Sequence, residues 1–367
     1  MDKQMSLSGL SDELSQVRTK KKEFLSQIER IVPWGEWIEL IRPHYYKGER
    51  GNKPYDLERM LRIYLVQNLY DLSDKATVAE VIDSRAFSEF CGVESSNQVP
   101  DGDTLGRFRN LLLRSGLQEK LFAQVVYLLQ ERGLLLKKGT IVDSTLIAAP
   151  SSTKNREKKR DPEAHSVKKG NSWHFGYKAH IGVDKDSGLV HTVKVTSANI
   201  HDVTMVPELL TGDEDSVYGD SGCLGAEKRE DAVLFNVNGQ GKRIRYKINR
   251  RPSQSKHADN RSRGQIKRRE KEKSSVRAKV EHVFGVVKGQ LRYRKTRYRG
   301  LRKQIAKLNI LFALANLILA DRRSCLTAEI SVAAALMEWR IYALPGGIFP
   351  QGLSFCVFCG VAFSFWK

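Results

Sequence analysis

Between about residues 55 and 136, apolar side chains recur at the three- and four-residue spacing of helices packed on a core. "DLERMLRIYLVQNLYDL" aligns Leu57, Met60, Leu61, Tyr64, Leu65 and Leu69, and "LQEKLFAQVVYLLQERG" repeats the pattern before stopping at Gly133. Between them, "VPDGDTLGRFRNLLLRSG" predicts a short helix with Asp103 as its N-cap and Arg107, Arg109 and Arg114 as basic side chains. These arginines either dock on DNA in the manner of a helix-turn-helix or form an ordinary solvated face.

After Gly139 the period shortens to that of strands. "TIVDSTLIAA" predicts a strand with Asp143 at its middle, and a polar loop follows, "PSSTKNREKKRDPEAHSVKKGNS". "WHFGYKAHIGV" then alternates, with Phe175, Tyr177, Ala179, Ile181 and Val183 on one face and His174, Lys178 and His180 on the other. "DKDSG" supplies the turn to a partner strand, "LVHTVKVTSA". Trp173 is expected in the core, as most tryptophans are largely buried. A helix from about 203 to 210, a strand "SVYG" ending at Asp220 and a helix over "AEKREDAVL" complete the series. In "NIHD", His201 and Asp202 either lie near Asp143 and Asp220 or stabilise a turn.

"SSVRAKVEHVFGVVK" predicts a further helix with Val276, Val280, Val283, Phe284 and Val287 on its buried face. Ser274, Arg277, Glu281 and Lys288 line its flank. Glu281 therefore either pairs with Arg277 at i, i+4 or meets carboxylates from elsewhere in the chain. The segment 326–367 differs in kind, because "IYALPGGIFPQGLSFCVFCGVAFSFW" carries no charge. Its Pro350, Gln351 and glycines argue against a membrane span, and an appended readthrough or frame-shifted tail accounts for the abrupt change.

Charge narrows the partners. Lys and Arg number 62 against 42 Asp and Glu, a formal net charge of +20. Between Lys242 and Lys279 there are sixteen basic residues and three acidic ones, Asp259, Glu270 and Glu272. Such a field suits a polyanion, whose neutralised phosphates release counterions. The same composition also suits a solvated linker. Five scattered cysteines imply no disulfide framework, and the Cys356, Cys359 pair has no second pair to complete a zinc site. The charged N-terminus lacks a signal-peptide pattern, so a cytoplasmic location is expected.

Asp143 and Asp220 lie in or at the end of apolar strands, where an unpaired carboxylate is costly unless it binds a cation. Joined by Glu281, they form an oxygen-donor set suited to two Mg²⁺ ions and to phosphodiester chemistry. Arg277 and Lys288 then point at DNA phosphates, with Lys178 offering a further contact.

The local motifs make that choice of carboxylates specific. "IVDSTLIAAP", "RDPEAHSVKKGNSWHFGYKAHIGVD", "VTSANIHD", "VYGDSGCLGAEKR" and "VRAKVEHVFGVVK...RYRKTRYRGLRK" resemble the DDE transposases of bacterial insertion sequences, in particular the insertion-sequence-five family. "VPDGDTLGRFR" resembles that family's N-terminal helical domain, and the likeness runs from about residue 40 to about 323. The resemblance implies an α/β, RNase H-like catalytic core, a mixed five-stranded sheet with flanking helices, preceded by an all-α N-terminal domain. It maps the catalytic, metal-binding acids onto Asp143, Asp220 and Glu281, with a two-metal Mg²⁺ site that Mn²⁺ can also fill. Arg277, Glu281 and Lys288 match the family's Tyr, Arg, Glu, Lys signature, whereas Ser274 stands at its Tyr position, and Cys223 replaces an aromatic after "DSG".

The domains expected are an N-terminal helical arm (1–40), a helical DNA-binding domain (41–136), the RNase H-like domain (137–325, with a basic insertion at about 240–275) and the atypical tail (326–367). Implied partners are double-stranded DNA, as terminal inverted repeats and target, and further copies of the chain, a homo-oligomer assembled on that DNA. The expected place of action is the bacterial nucleoid. The implied activity is metal-dependent DNA cleavage and strand transfer. The alternatives are a catalytically inactive or domesticated DNA-binding relative, and a nuclease that cleaves without joining.

Overall fold

The computed structural model describes residues 17–48, 53–229, 241–251 and 260–342, the side chains of 260–262 and 324–342 excepted. Cys356 and Cys359, the charge-free tail beyond Tyr342, the second half of "AEKREDAVL" and part of the basic stretch lie outside the described residues. The chain divides into two compact units, Met1–Ala320 and Asp321–Lys367.

Among the described residues, seven α-helices open the first unit: α1 (Lys20–Ile31), α2 (Trp34–Ile41), α3 (Leu57–Leu69), α4 (Asp74–Asp83), α5 (Arg85–Cys91), α6 (Gly102–Arg114) and α7 (Leu117–Glu131). Side-chain caps set several of their starts. Asp56 accepts from the Arg59 amide at 2.9 Å, and Asp101 accepts from the Thr104 amide at 2.6 Å. The cap of α6 is thus Asp101 rather than Asp103, because Asp101 has the extended backbone that lets its carboxylate reach the third helical amide. Helix α3 is the hub, with every residue from Met60 to Leu69 buried except Arg62. Leu25 and Ile28 of α1 and Trp37 and Ile41 of α2 join the same core, so the described part of the expected arm is integral to the helical layer.

The sheet contains β1 (Gly139–Ala148), β2 (His165–Lys169), β3 (Ser172–Asp184), β4 (Val190–Ser197), β5 (Ser216–Gly219) and β6 (Arg245–Ile248). Its order is β2-β3-β1-β5-β6, with β4 also paired to β3. Among the described residues the sheet has six strands, against the expected five. The sequence pattern predicts neither β6, which falls in the expected basic insertion, nor β2, which lies within the polar loop with four of its five residues exposed and so carries no hydrophobic alternation. Gly176 lets β1 and β3 close up, since a Cβ there would collide with the Ile147 carbonyl oxygen.

Both faces of the sheet are covered. On one, Ile141, Ile147, Tyr177 and Ile181 share a core with Val280, Val283 and Phe284 of α9 (Asn260–Gly285) and with the Leu308–Ile318 stretch of α10 (Leu301–Tyr342). On the other, Val142 and Val217 pack on Val206 and Leu209 of α8 (Asp202–Leu209), with Ile244 and Ile248. The first core is continuous with that of α1–α7, so the helical and sheet regions meet without a seam between 136 and 137. Leu301–Arg323 is long and apolar enough to span a membrane, yet most of it is buried inside the protein, the signature of a core helix.

The expected helix containing Glu281 is longer than its apolar stripe, spanning Asn260–Gly285 and continuing as a π-helical segment, Val286–Gln290. In the described part of "AEKREDAVL", Ala226–Lys228 forms a 3₁₀ turn. In the second unit α10 continues to Tyr342.

Candidate active site

The parallel pairing of β1 with β5 aligns Gly139 with Ser216 and Ile141 with Tyr218. Continued by two residues, this register sets Asp220 level with Asp143. Strand alternation turns both towards α9, on the face shared by Ile141 and Tyr218. Asp143 is also paired with Ile181 of β3, so it stands on a central strand.

Burial raises the Asp143 pKa; Arg277 and the Ser144 amide oppose that rise, and the charge of Asp220 reinforces it. The contacts behind this balance are direct. Arg277 Nη2 stands 3.2 Å from Asp143 Oδ2, and the Ser144 amide donates to Asp143 Oδ1 at 2.8 Å. Asp220 is held by the turn that follows β5, its Oδ1 accepting from the Gly222 amide at 2.8 Å. A Cβ on Gly222 would lie 2.9 Å from that oxygen and 3.6 Å from Asp202 Oδ2, so glycine keeps this turn tight. The buried Cys223 thiol beneath is pushed up by burial and then by the charges of Asp220, Asp202 and Asp143.

Asp202 is the third acid at this end of the sheet. It opens α8 on the opposite face, where its Oδ1 accepts from Ser144 Oγ at 2.8 Å and from Lys178 Nζ at 3.2 Å. Lys178 also donates to the Ile200 carbonyl at 2.7 Å. His180 Nδ1 lies 3.5 Å from Asp202, and His180 Nε2 is 2.9 Å from Thr196 Oγ1. Burial lowers the His180 pKa to about 4, partly offset by Asp202. Lys178 and His180, expected to face outward, are enclosed because α8 covers their side of the sheet. Of the two readings open for "NIHD", the geometry favours proximity to the carboxylates for Asp202, whereas His201 is exposed at the start of α8. Neighbouring Ser144 and Lys178 are the partners that one sequence does not reveal.

Glu281 lies one helical turn beyond Arg277 and is exposed. Among the described residues, Arg277 forms no ion pair with it and contacts Asp143 and Asn249 instead. The charge of Glu281 reaches Lys288, whose ammonium donates to the Leu146 carbonyl at 2.7 Å. No group of three His, Cys, Asp or Glu side chains among the described residues stands close enough to hold a metal ion. The structure therefore brings Asp143 and Asp220 into electrostatic contact, with Asp202 nearby, while Glu281 is exposed on α9. Asp143 and Asp220 fit a hard cation nevertheless: their donors are all oxygen, and a positive charge between them would relieve the repulsion that helps to raise the Asp143 pKa.

The remaining basic candidates separate. Arg107 is exposed on α6. Arg109 is ion-paired to Asp74, donates to the Tyr298 hydroxyl at 2.7 Å and lies 4.0 Å from that ring's centroid. Its neighbours hold it inside the protein. Trp173, expected in the core, is 70% exposed. It continues the inward face of β3, but the β2–β3 hairpin extends past the helices that cover that face.

Two family models match the chain. Residues 135–317 match the Transposase DDE domain, and residues 12–111 match the Transposase domain (DUF772). No solved structure matches. The first match spans the sheet, α8 and α9, including Asp143, Asp220 and Glu281, and the second spans most of the helical layer. With these domains in this order around a mixed sheet whose two aspartates meet at one level, the chain belongs to the DDE transposases.

Proposed function

We propose that this transposase binds the ends of an insertion sequence, as members of the insertion-sequence-five family do, and cuts and rejoins DNA with Asp143, Asp220 and Glu281 as its catalytic acids. The observation that carries the proposal is the shared level of Asp143 and Asp220 across the β1–β5 ladder, with the electrostatic coupling that follows from it. Divalent ions, Mg²⁺ or Mn²⁺, held by these carboxylates supply Lewis-acid activation of the attacking oxygen and charge stabilisation of the leaving one. Asp143 and Asp220 would hold the ions from the sheet, and Glu281 of α9 would be the third acid of the set.

The chain's own groups prepare the site. Burial of Asp143 leaves its charge undercompensated, which favours cation uptake. Arg277 contacts that carboxylate, and its guanidinium would suit a DNA phosphate beside it were a cation bound there. Asp202 holds Ser144 and Lys178 beside the acids. The exposed basic face of α9 and Arg107 on α6 supply sequence-independent attraction to duplex DNA. Several copies of the chain on two element ends, acting at the nucleoid, complete the reading.

The test is Mg²⁺-dependent nicking of a supercoiled plasmid carrying the element ends, comparing the wild type with Asp143→Ala and Glu281→Ala. Nicking by the wild type alone, with DNA binding retained in both variants, is the expected result. A wild type that binds the ends and never cuts overturns the catalytic reading and leaves a catalytically inactive, DNA-binding relative.

A further inference from the structure

The loop between β1 and β2, residues 149–164, carries Lys154, Arg156, Lys158, Lys159 and Arg160 against three acids, Glu157, Asp161 and Glu163. The acids are engaged by the protein itself. Asp161 is buried, accepting from the Tyr177 hydroxyl at 2.6 Å and from the Gly300 amide at 3.0 Å. Glu163 accepts from the Leu301 amide at 2.8 Å, and Glu157 pairs with Arg299 Nη1 at 2.8 Å. Asp161 and Glu163 thereby satisfy amides at the start of α10 that no helical carbonyl can reach, and they clip the loop to that helix. The cations stay outside. Lys154, Arg156, Lys158 and Lys159 are exposed, and among the described residues none of them has a carboxylate within ion-pair distance.

Internal bonds fix the shape of this basic turn. Asn155 Nδ2 donates to the Lys159 carbonyl at 2.8 Å, and the Lys158 amide donates to the Asn155 carbonyl at 2.9 Å. Lys158 takes a left-handed backbone, φ 49°, which a long side chain seldom adopts. Like charges held in place repel one another, and a polyanion laid against them relieves that repulsion. The loop is tied at both ends to functional regions. Arg299 Nη2 donates to the Lys159 carbonyl at 2.9 Å, and one helical turn on, Arg302 Nη2 donates to the Leu113 carbonyl at the end of α6 at 3.2 Å. At the sheet, the Thr296 amide donates to the Ala148 carbonyl at 2.8 Å, which places exposed Lys295 beside Ala148. Because β3 pairs along the other edge of β1, Lys295 stands on the edge where β5 brings in Asp220. Ala148 is about 17 Å of strand beyond Asp143, the length of about five base pairs.

We propose that the 154–160 loop, with Lys295 at its base, grips the phosphate backbone of duplex DNA about five to eight base pairs from the cut, on the element side. The side follows from the loop's position. It is joined to β1 at one end and to α6 through Arg299 and Arg302 at the other, so duplex running from the acids towards the helical layer crosses it. The inference rests on the reading of the chain as a DNA-cutting transposase that binds element ends, and it adds a backbone contact without sequence preference between recognition and cutting.

The probe is a duplex of the element end with flanking DNA, titrated at several salt concentrations with the full chain. Two triple variants are compared with it: Lys154→Ala, Arg156→Ala, Lys158→Ala, and the charge-keeping Lys154→Arg, Arg156→Lys, Lys158→Arg. The alanine variant is expected to bind about tenfold or more weakly with a salt slope lower by about two to three, and the charge-keeping one to bind within about twofold of wild type. Uncharged methylphosphonate linkages about five to eight base pairs inside the element should weaken the wild type and leave the alanine variant unaffected. Changing the base sequence there should alter wild-type binding by less than about twofold. An alanine variant with the wild-type salt slope and the wild-type response to those linkages overturns the inference, makes the loop a solvated face and leaves the transposase reading intact. Sensitivity to linkages in the flank alone overturns the element-side placement. A wild type that binds and never cuts, with the same losses in the alanine variant, supports the backbone grip while overturning the catalytic reading. A wild type that binds no DNA overturns both.

Discussion

The guanidinium of Arg277 lies 3.2 Å from the carboxylate of Asp143 and leaves Glu281, one turn along the same helix, without it. Arg277 is the main group opposing the burial-driven rise of the Asp143 pKa. Removing it as Arg277→Gln should raise that pKa further. The acid limb of the pH profile for Mg²⁺-dependent nicking is then expected to move to higher pH. An unchanged limb would place the titrating group elsewhere.

Asp143 carries opposite consequences for activity and stability. Its folded-state pKa is raised, so its ionised form is disfavoured by folding, and the stability that protonation contributes is lost as pH rises through that value. Asp143→Asn should abolish nicking and leave the melting temperature at neutral pH equal to or above that of the wild type. A marked loss of stability in chemical denaturation would give Asp143 a structural role instead.

Asp202 accepts from Ser144 and Lys178 in a partly buried setting. Asp202→Ala leaves the Lys178 ammonium with the Ile200 carbonyl alone, a cost of about 1–3 kcal/mol. Urea denaturation should show that loss, and nicking at saturating Mg²⁺ should fall by about tenfold or more as Ser144 and Lys178 lose their hold beside the acids. Activity equal to wild type in a destabilised variant would confine Asp202 to holding the fold.

Two neighbouring arginines on α6 should behave differently. Arg109 is tied to Asp74 and Tyr298, and Arg109→Ala leaves Asp74 with Gln67 and the Tyr298 hydroxyl, costing about 1–3 kcal/mol. Arg107 is exposed, and Arg107→Ala should change stability by no more than about 0.5 kcal/mol. If Arg107 contacts DNA phosphates, its variant weakens duplex binding and reduces the salt slope by about one ion. Denaturation and binding titrations at several salt concentrations separate the two.

Burial lowers the His191 pKa from 6.5 to about 4, in a network where its Nε2 meets Thr140 Oγ1 at 3.0 Å. Between those pH values the unfolded chain binds a proton that the folded chain refuses, so stability falls as pH drops from 6.5 towards 4. The size of this contribution is on the order of 3 kcal/mol. His191→Gln, which does not titrate, should flatten that part of the melting-temperature profile. An unaltered slope would mean that His191 carries its proton in the folded state.

By itself the sequence determined the local elements wherever one face of an element is apolar and the other polar. Leu57 to Leu69, the alternation from Phe175 to Val183 and the Val276 to Val287 stripe each state their period, and burial follows it because apolar surface leaves water. The motifs around Asp143 and Asp220 were legible for the same reason, since a carboxylate in an apolar strand stands out. Only the tertiary structure decided what faces solvent and who partners whom. Trp173 obeys the alternation of β3 and is nonetheless exposed, because cover depends on where distant helices end. Lys178 and His180 read as outward-facing and are enclosed, because α8 returns over their side of the sheet. Arg277 had Glu281 at ideal helical spacing, yet it is bound to Asp143, 134 positions away in the chain. Spacing along a helix limits which groups can meet; the fold sets which buried charge most needs a partner.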